Sequence, residues 1–468
     1  MSARDYALLL IDSRELPGWR TVLRNRRQKP PADPRDLALA EQITIGVVKN
    51  LLHLQFLIEH CSGRRLGSID PLIQKILAIG LYQLRFLDRI PAHAAVDEAV
   101  EQAKRFGQRR AAGFVNAVLR KAAHRNWPAP PDPATDPASY AELALSCPRT
   151  LFSRLTETFG AQEALRQCRH ANTEPPLIVR LHAGRSVDEV GAADVVARPH
   201  GQQCDHGFWQ PAPVAAMGHR GGEPRSTIAA AGGLSNRTGT PHEQTGMVVL
   251  DSFPVRLLAE LAERGIGQVQ DPTAASVASL LELTPGQTAL DRCSGVGTKT
   301  IQLADAVGPA GLVVATDPSE PRCEILQRLA NKRGLAQIHV HRISKLADLP
   351  PDEPAQFDAI LVDAPCSNSG VLARRPEARY NQTVRHIGSL LRLQDEILDD
   401  SVPRLRSGGR LVYSTCSIWT EENMGRVGRI LSKHPDYRMV HDQTILPHSD
   451  GDPTRYHDGG YRAVLVRG

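Results

Sequence analysis

Beyond about residue 268, short apolar segments of strand character alternate with segments of helical character, and this alternation constrains the fold more than any other feature. The strand candidates are QTALD (287–291), GLVVATD (311–317), FDAILVDA (357–364) and GRLVYST (409–415). The helix candidates include IQLADAV (301–307), EILQRLANKRG (324–334) and LLRLQDEILDDSVPRL (390–405). Strands that alternate with helices predict a parallel, doubly wound α/β sheet with its site at the carboxyl ends of the strands.

Residues 1 to about 125 show helical periodicity instead. In VDEAVEQAKRFG (96–107), apolar residues recur every three or four positions and form one stripe. The proline-rich segment NWPAPPDPATDPAS (126–139) then interrupts the pattern, because proline removes a helix donor. We therefore predict three domains: a helical domain over 1–135, a small α+β subdomain over 140–265 with a Gly/Pro/Thr-rich insertion at 197–246, and the α/β domain over 266–468.

Composition narrows the class of protein. With 41% hydrophobic residues and no apolar run near 18 residues, the chain predicts no membrane span, and its start lacks a signal-peptide pattern, so we expect a cytoplasmic protein. The eight cysteines form no C-x-x-C pair, which argues against zinc sites and disulfides. The net charge is +5, and basic residues concentrate in RNRRQK (24–29) and KRFGQRR (104–110). These segments predict either a surface for nucleic-acid phosphates or solvated helix faces.

The segment ALDRCSGVGTKTIQLA (289–304) joins the first strand to a helix. Gly295 and Gly297 allow a ligand to approach the backbone, and the helix start offers free amide donors. A dinucleotide loop would carry a third glycine where Thr300 stands, and a P-loop would carry glycine directly before Lys299. The remaining candidate is S-adenosylmethionine, with Asp317 placed to bind the ribose hydroxyls. A tight turn without a ligand is the structural alternative.

Two cysteines and an aspartate follow neighbouring strand candidates. Asp363 and Cys366 lie at the end of FDAILVDA, and Cys416 lies at the end of GRLVYST, so all three should meet in one crevice. A thiolate that adds to C6 of cytosine makes C5 nucleophilic enough to accept a methyl group, and an acid near N3 compensates the charge on the ring. Asp363 suits that role. Cys416 as a small buried hydrophobic residue is the alternative.

A free thiol ionises with a pKa of roughly 8.5, so a nucleophilic cysteine needs a positive or dipolar neighbour. The candidates in the sequence are Lys299, Arg374 and Arg375.

At these residues the chain resembles the RNA cytosine-C5 methyltransferases of the RsmB/NOL/NOP family. DRCSGVGTKT (291–300) is similar to the family's D-x-C-A-A-P-G-G-K-T, and DAPCSNSG (363–370) to its D-x-P-C-S-x-x-G. YSTCS (413–417) with EEN (421–423) is similar to Y-S-T-C-S…E-N. VDEAVEQAKRFG and AGFVNAVLRK (112–121) resemble a NusB-type RNA-binding domain. The likeness covers most of the chain outside 197–246.

The resemblance implies a Rossmann-like methyltransferase domain that uses S-adenosylmethionine, with Cys416 as the thiol that adds to C6 and Cys366 as an aid to product release. Asp363 would contact the cofactor and the cytosine, and Asp317 the ribose. The methionine moiety would lie against Cys293, Ser294, Gly295, Val296, Gly297, Thr298 and Lys299. No metal is implied.

Some positions that depart from the family pattern bear on the cofactor. Val296 replaces proline and Thr298 replaces a glycine in the cofactor loop, Ser344 replaces an aspartate that contacts the adenine end, and His182 replaces an asparagine. These changes bear on cofactor affinity more than on the chemistry.

The expected partner is small-subunit ribosomal RNA before the subunit is fully assembled. We expect the protein to be a monomer and not to associate with a membrane. Three alternatives stay open: the same chemistry on tRNA or large-subunit rRNA, an RNA-binding assembly protein that has lost cofactor binding, and a nicotinamide-dependent oxidoreductase.

Overall fold

The computed structural model describes residues 1–12, 30–186, 189–190, 240–241, 246–250 and 255–468. The basic segment at 24–29 and nearly all of the insertion at 197–246 lie outside these ranges. The chain divides into two compact units. One contains Met1–Asn172 and Arg375–Tyr380, and the other contains the described parts of Thr173–His206, Ile228–Arg374 and Asn381–Gly468.

The first unit is built from helices in its described part. They are α1 (Ala3–Asp12), α2 (Pro34–Lys49), α3 (Leu51–Ser62), α4 (Pro71–Phe86), α5 (Ala92–Arg105), α6 (Ala112–Ala123), α7 (Pro137–Leu145), α8 (Arg149–Phe159) and α9 (Ala161–Asn172). The unit thus continues past the proline-rich segment at 126–139. Its short segment at 375–380 is held by Arg379, whose buried guanidinium donates to the carbonyls of Lys49, Leu145 and Ala171.

Local sequence explains where these helices begin and which face they bury. Asp70 accepts hydrogen bonds from the first free amides of α4, and Pro71 occupies the position where a missing N–H costs nothing. On α5, the predicted stripe is buried at Val96, Ala99 and Ala103. These faces pack into one apolar core formed by the helices α1 to α6.

The second unit begins with a small antiparallel sheet. Its strands are β1 (Leu177–Leu181), β2 (Thr240–Pro241), β3 (Met247–Leu250) and β4 (Gly267–Val269), with α10 (Val255–Glu263) before β4. They lie in the order β2-β3-β1-β4. The apolar segment LIVRL (177–181) forms β1.

The rest of this unit contains a seven-stranded sheet. Its strands are β5 (Thr288–Asp291), β6 (Leu312–Thr316), β7 (Ile338–His341), β8 (Phe357–Asp363), β9 (Leu405–Thr415), β10 (Tyr437–Ile445) and β11 (Gly460–Arg467). They lie in the order β10-β11-β9-β8-β5-β6-β7. Strands β5 to β9 run parallel, which confirms the predicted fold class. The prediction from the sequence did not include β7. It also did not include the antiparallel strands β10 and β11, which complete the edge of the sheet next to β9.

The connecting helices are α11 (Pro272–Ala275), α12 (Thr298–Val307), α13 (Glu320–Arg333), α14 (Val384–Ser401) and α15 (Met424–Lys433). Because the chain leaves β5 toward β6 and β7 but later returns to β8 on the other side, the sheet changes direction between β5 and β8. Ligands bind at the carboxyl ends of the strands flanking such a point. Within the described ranges no helix has the length and apolarity needed to cross a membrane.

Candidate active site

The glycine loop follows β5 and turns into α12. Gly295 has φ +57° and Gly297 has φ +94°, conformations that other residues adopt only with strain. A Cβ atom on Gly297 would lie 2.2 Å from Cδ1 of Leu326, so packing as well as backbone geometry requires glycine there. Val296, between them, is 46% exposed. The loop is therefore a close-packed turn whose outer side is open.

Asp317 directly follows β6 and faces this loop. Its carboxylate accepts hydrogen bonds from the amide of Gly295 at 3.1 Å and from the amide of Ser319 at 2.8 Å, and Arg322 lies 3.5 Å away. Asp317, the residue predicted to bind the ribose, is thus held against the glycine turn at the carboxyl end of the adjacent strand.

Asp291, the last residue of β5, lies beside the glycine loop and was not singled out by the sequence interpretation. Its side chain is fully buried, and Oδ2 accepts a hydrogen bond from Thr300 at 2.7 Å. Oδ1 has no partner among the described residues. Burial raises the pKa of Asp291 to about 7, although the Thr300 hydrogen bond opposes the rise. A buried acceptor without a donor beneath the loop fits the ammonium group of a methionine moiety.

The next two residues stabilise the loop from inside. The buried Arg292 donates to the carbonyl oxygen of Ser344 at 2.5 Å and to Asp400 at 2.9 Å. Desolvation raises the pKa of Cys293 to about 12, which keeps this thiol protonated. Ser344, which replaces the family's aspartate, therefore still contacts Arg292, because this contact uses the backbone oxygen of residue 344.

His182 makes a structural contact with Asp305. Its Nδ1 lies 2.9 Å from Oδ2 of Asp305 on α12, and burial lowers the pKa of the imidazole. The pair links the end of β1 to the helix that follows the glycine loop.

Asp363 ends β8 beside Ser414 of β9. Oδ2 lies 2.6 Å from Nζ of Lys299, and Oδ1 accepts a hydrogen bond from the Ser414 hydroxyl at 2.6 Å. Burial opposes the charge of Lys299, but Asp363, Asp291 and Cys416 together outweigh it and raise the pKa of the ammonium group. The structure therefore joins the cofactor loop to the predicted catalytic carboxylate through one ion pair.

The two predicted cysteines come together. Sγ of Cys366 lies 3.0 Å from Sγ of Cys416. Asn368, in a left-handed conformation with φ +60°, spans both residues: its Oδ1 lies 3.1 Å from the Cys416 sulfur, and its Nδ2 donates to the Cys366 carbonyl. The amide of Gly370 also donates to the Cys416 carbonyl at 2.9 Å.

The two sulfurs differ in their electrostatic surroundings. The hydrogen bond with Cys416, burial and the negative charge of Glu422 hold the pKa of Cys366 well above its usual range. Cys416 is less buried and interacts electrostatically with Lys299. Cys366 is thus favoured as a thiol, and Cys416 is the sulfur beside a cation.

The other two cations considered from the sequence are engaged elsewhere. Arg374 contacts Asp458 and Asp271, and Arg375 lies 4.0 Å from Glu377.

Glu422 connects the loops that carry the two cysteines. Its fully buried carboxylate accepts hydrogen bonds from the amide of Ser367 at 2.8 Å and from the hydroxyls of Ser367 at 2.5 Å and Ser417 at 2.6 Å. Gln394 adds a fourth donor at 3.2 Å. Since Ser367 and Ser417 directly follow the cysteines, this carboxylate sets the distance between the two sulfurs.

The site thus combines a thiol pair, a carboxylate–ammonium pair and a glycine turn at the carboxyl ends of β5, β6, β8 and β9. Such a set can add a sulfur to an electron-poor ring while a proton moves at a neighbouring carboxylate.

Comparisons with known proteins agree with this architecture. A family model described as 16S rRNA methyltransferase RsmB/F matches residues 278–453, and the NusB family model matches residues 1–124. The chain is 30% identical over 442 residues to a probable ribosomal RNA small subunit methyltransferase B of Synechocystis sp., which covers 94% of this chain and 91% of that protein. A probable enzyme of the same name from Bacillus subtilis is 28% identical over 85% of this chain and 80% of its own length.

Solved structures show the same fold. The crystal structure of PH0851 has a TM-score of 0.72 at 18% identity and covers 99% of this chain and 97% of its own. A methyltransferase homolog from Pyrococcus horikoshii has a TM-score of 0.51 at 19% identity over 70% of this chain and 98% of its own.

Proposed function

Because the chain belongs to the RsmB/F family of 16S rRNA methyltransferases, we propose that it transfers a methyl group from S-adenosylmethionine to C5 of a cytosine in small-subunit rRNA. The observation that carries this proposal is the thiol pair. Two sulfurs 3.0 Å apart, beside an aspartate paired with lysine, suit a reaction in which one sulfur bonds to the ring and the other helps to release it.

Cys416 is the nucleophile in this scheme. Its thiolate, stabilised by Lys299, forms a bond to C6, and the electron pair of the C5–C6 double bond becomes available at C5. Asp363 exchanges a proton near N3 as charge develops on the ring, and Lys299 and Ser414 hold its two oxygens in place. Cys366 stays protonated because of its buried surroundings, so it does not compete for C6.

Release reverses the first bond. A base removes the proton from C5, the electron pair restores the C5–C6 double bond, and the C6–S bond breaks. The Cys366 thiol, 3.0 Å away, donates a hydrogen bond to the departing Cys416 sulfur and so lowers the cost of this step.

The cofactor supplies an electrophilic methyl group when it is bound. The chain's own residues would hold it as follows: Asp317 at the ribose hydroxyls, Asp291 at the methionine ammonium, and residues 293–299 along the methionine moiety. The orphaned Oδ1 of Asp291 and the tight glycine turn support this assignment. Calorimetry with S-adenosylmethionine tests it. Absence of heat in the wild type and in a Val296→Pro/Thr298→Gly variant would favour an RNA-binding protein without cofactor.

The target cytosine must be unpaired, because a stacked base does not expose C6 to a thiol. In the helical unit, Arg109, Arg110 and Arg120 are exposed and have no acidic partner among the described residues. We assign them to RNA phosphates. Arg109→Ala/Arg110→Ala should weaken RNA binding and reduce its salt dependence, whereas exchange of the paired Lys104 should change both less. The cytoplasmic location and monomeric state expected from the sequence remain predictions.

The deciding experiment uses unmethylated small-subunit rRNA, labelled S-adenosylmethionine and two single variants. Cys416→Ser should abolish transfer, and Cys366→Ser should accumulate a protein–RNA adduct that survives a denaturing gel. Undiminished transfer by Cys416→Ser would refute the assignment of Cys416 as the nucleophile. An adduct that forms with Cys416→Ser but not with Cys366→Ser would show that the two cysteines have the opposite roles. Transfer to tRNA or large-subunit rRNA in place of small-subunit rRNA would keep the chemistry but refute the substrate.

A further inference from the structure

Two histidines and a glutamate meet at the edge of the large sheet, and none of the three is assigned to methyl transfer. His339 and His341 are two residues apart on the edge strand β7, so their side chains lie on one face. Glu353 belongs to the loop between β7 and β8. Its Oε1 lies 2.8 Å from Nδ1 of His339 and 2.7 Å from Nε2 of His341.

The glutamate is the unusual member of this cluster. Its side chain is only 5% exposed, and no lysine or arginine of the described chain pairs with it. A buried carboxylate is costly without a compensating charge, and a neutral imidazole supplies a hydrogen bond but no charge. His339, by contrast, is 47% exposed, so the cluster is open to solvent on one side.

We propose that His339, His341 and Glu353 bind one divalent transition-metal ion of the Zn²⁺ class, with solvent completing its coordination. Two imidazoles and one carboxylate are ligands that Zn²⁺ prefers, whereas Mg²⁺ and Ca²⁺ favour oxygen-only sets. The three ligand atoms lie within 4.8 Å of one another. Zinc bonds of about 2.1 Å at tetrahedral angles separate ligand atoms by about 3.4 Å, so each contact needs to widen by less than about 1 Å.

Besides this small widening, binding requires that each imidazole present an unprotonated nitrogen to the ion. His339 binds through Nδ1 with its proton on Nε2, and His341 binds through Nε2 with its proton on Nδ1. The hydrogen bonds to Glu353 are then replaced by bonds to the ion. The ion also supplies the positive charge that compensates the Glu353 carboxylate.

The ion would fasten the loop at residues 349–356 to the end of β7. This loop leads into β8, the strand that ends at Asp363, and the carbonyl of His341 accepts a hydrogen bond from the amide of Asp317 at 3.3 Å. The site would thereby stabilise the backbone that positions two residues of the larger site. The metal inference does not depend on the proposed methyl transfer.

The test measures Zn²⁺ binding by competition with a chromophoric chelator, using the full chain stripped of metal. Because cysteine sulfur is also a zinc ligand, the background is Cys366→Ser/Cys416→Ser. That protein should bind one ion per chain. Adding His339→Gln/His341→Gln should abolish binding, and adding Glu353→Gln should weaken it while keeping an acceptor for the imidazole N–H groups. Adding His434→Gln, a histidine outside the cluster, should change nothing.

Co²⁺ and thermal unfolding give independent readouts. The background variant should show the visible absorption bands of Co²⁺ on protein ligands and a higher melting temperature with Zn²⁺, and both should be absent in His339→Gln/His341→Gln. Circular dichroism checks that each variant folds. The inference is overturned if the background variant binds no ion, or if Glu353→Gln and His339→Gln/His341→Gln bind Zn²⁺ as tightly as their parent.

Discussion

Replacing Glu422 by glutamine tests whether one buried carboxylate sets the geometry and the ionisation of the two thiols. The change keeps the size of the side chain but turns the Oε2 acceptor into an amide donor. Ser367 and Ser417, which donate to Oε2 at 2.5 Å and 2.6 Å, then face a donor. Ser417 has little freedom to adapt, because its oxygen already accepts the Trp419 amide at 3.1 Å.

The expected magnitude follows from these two hydrogen bonds. A hydrogen bond to a charged group contributes roughly 1.5–3 kcal/mol, and rotation of the hydroxyls recovers part of the loss, so the free energy of unfolding should fall by about 2–4 kcal/mol. The variant also removes a negative charge that raises the pKa of Cys366, so this pKa should fall. Displacement of the cysteine loops should reduce methyl transfer by roughly 10²-fold.

The assay follows alkylation of Cys366 by iodoacetamide against pH, read by peptide mass spectrometry in a Cys416→Ser background. Loss of the carboxylate charge moves the midpoint to lower pH, whereas a merely looser structure raises the rate without moving the midpoint. Urea unfolding gives the stability change. Glu396→Gln is the matched control, because Glu396 is exposed on α14. If Glu422→Gln and Glu396→Gln share the same midpoint and stability, the assigned role of Glu422 is wrong.

Three further variants probe the cofactor side of the site. Gly297→Ala should lower the free energy of unfolding by about 1–3 kcal/mol and weaken S-adenosylmethionine binding in calorimetry, because φ is +94° and the new Cβ meets Leu326; Gly308→Ala, also at positive φ but with open space, should cost less. Lys299→Met should slow both methyl transfer and alkylation of Cys416 at neutral pH, with Lys299→Arg retaining part of each; equal alkylation rates would contradict the assigned cation. Asp291 takes up a proton in the folded state between its ordinary pKa of 3.8 and its raised pKa of about 7, so its contribution to stability falls as pH rises through that interval. The free energy of unfolding of Asp291→Asn, measured in urea, should therefore rise relative to that of the wild type as the pH increases from 4 to 7. A difference between the two proteins that does not change with pH would refute this.

Sequence patterns that are local were sufficient to predict much of the fold. The apolar segments before Asp291, Asp317 and Asp363 form β5, β6 and β8, because buried parallel strands are continuous apolar runs bounded by turns. β10, in contrast, is mostly polar along YRMVHDQTI and lies at the sheet edge, so its pairing with β11 depends on residues far away in the chain. The alternation of apolar and polar residues in this segment is too weak to predict a strand from the sequence.

The same distinction applies to the site. The motifs indicated Cys366, Cys416 and Asp363 because each lies at the end of a strand. The unpaired oxygen of Asp291 and the cluster around Glu353 could not be predicted, since they result from contacts between separate segments. A pair of histidines two residues apart was the one local signal for the second cluster, and it points to a site only when an acidic residue is brought to the same face.

The asymmetry between the two thiols also comes from residues outside the two cysteine positions. Lys299, from the glycine loop, approaches Cys416, and Glu422, from the segment after β9, approaches Cys366. The negative charge of Glu422 opposes ionisation of Cys366, whereas the charge that interacts with Cys416 is the positive one of Lys299. The serines that follow both cysteines have a physical reason in this arrangement, because Ser367 and Ser417 hold the Glu422 carboxylate where it acts on Cys366. Exchanging the two cysteine roles would therefore require exchanging the charges around them, which neither cysteine motif alone encodes.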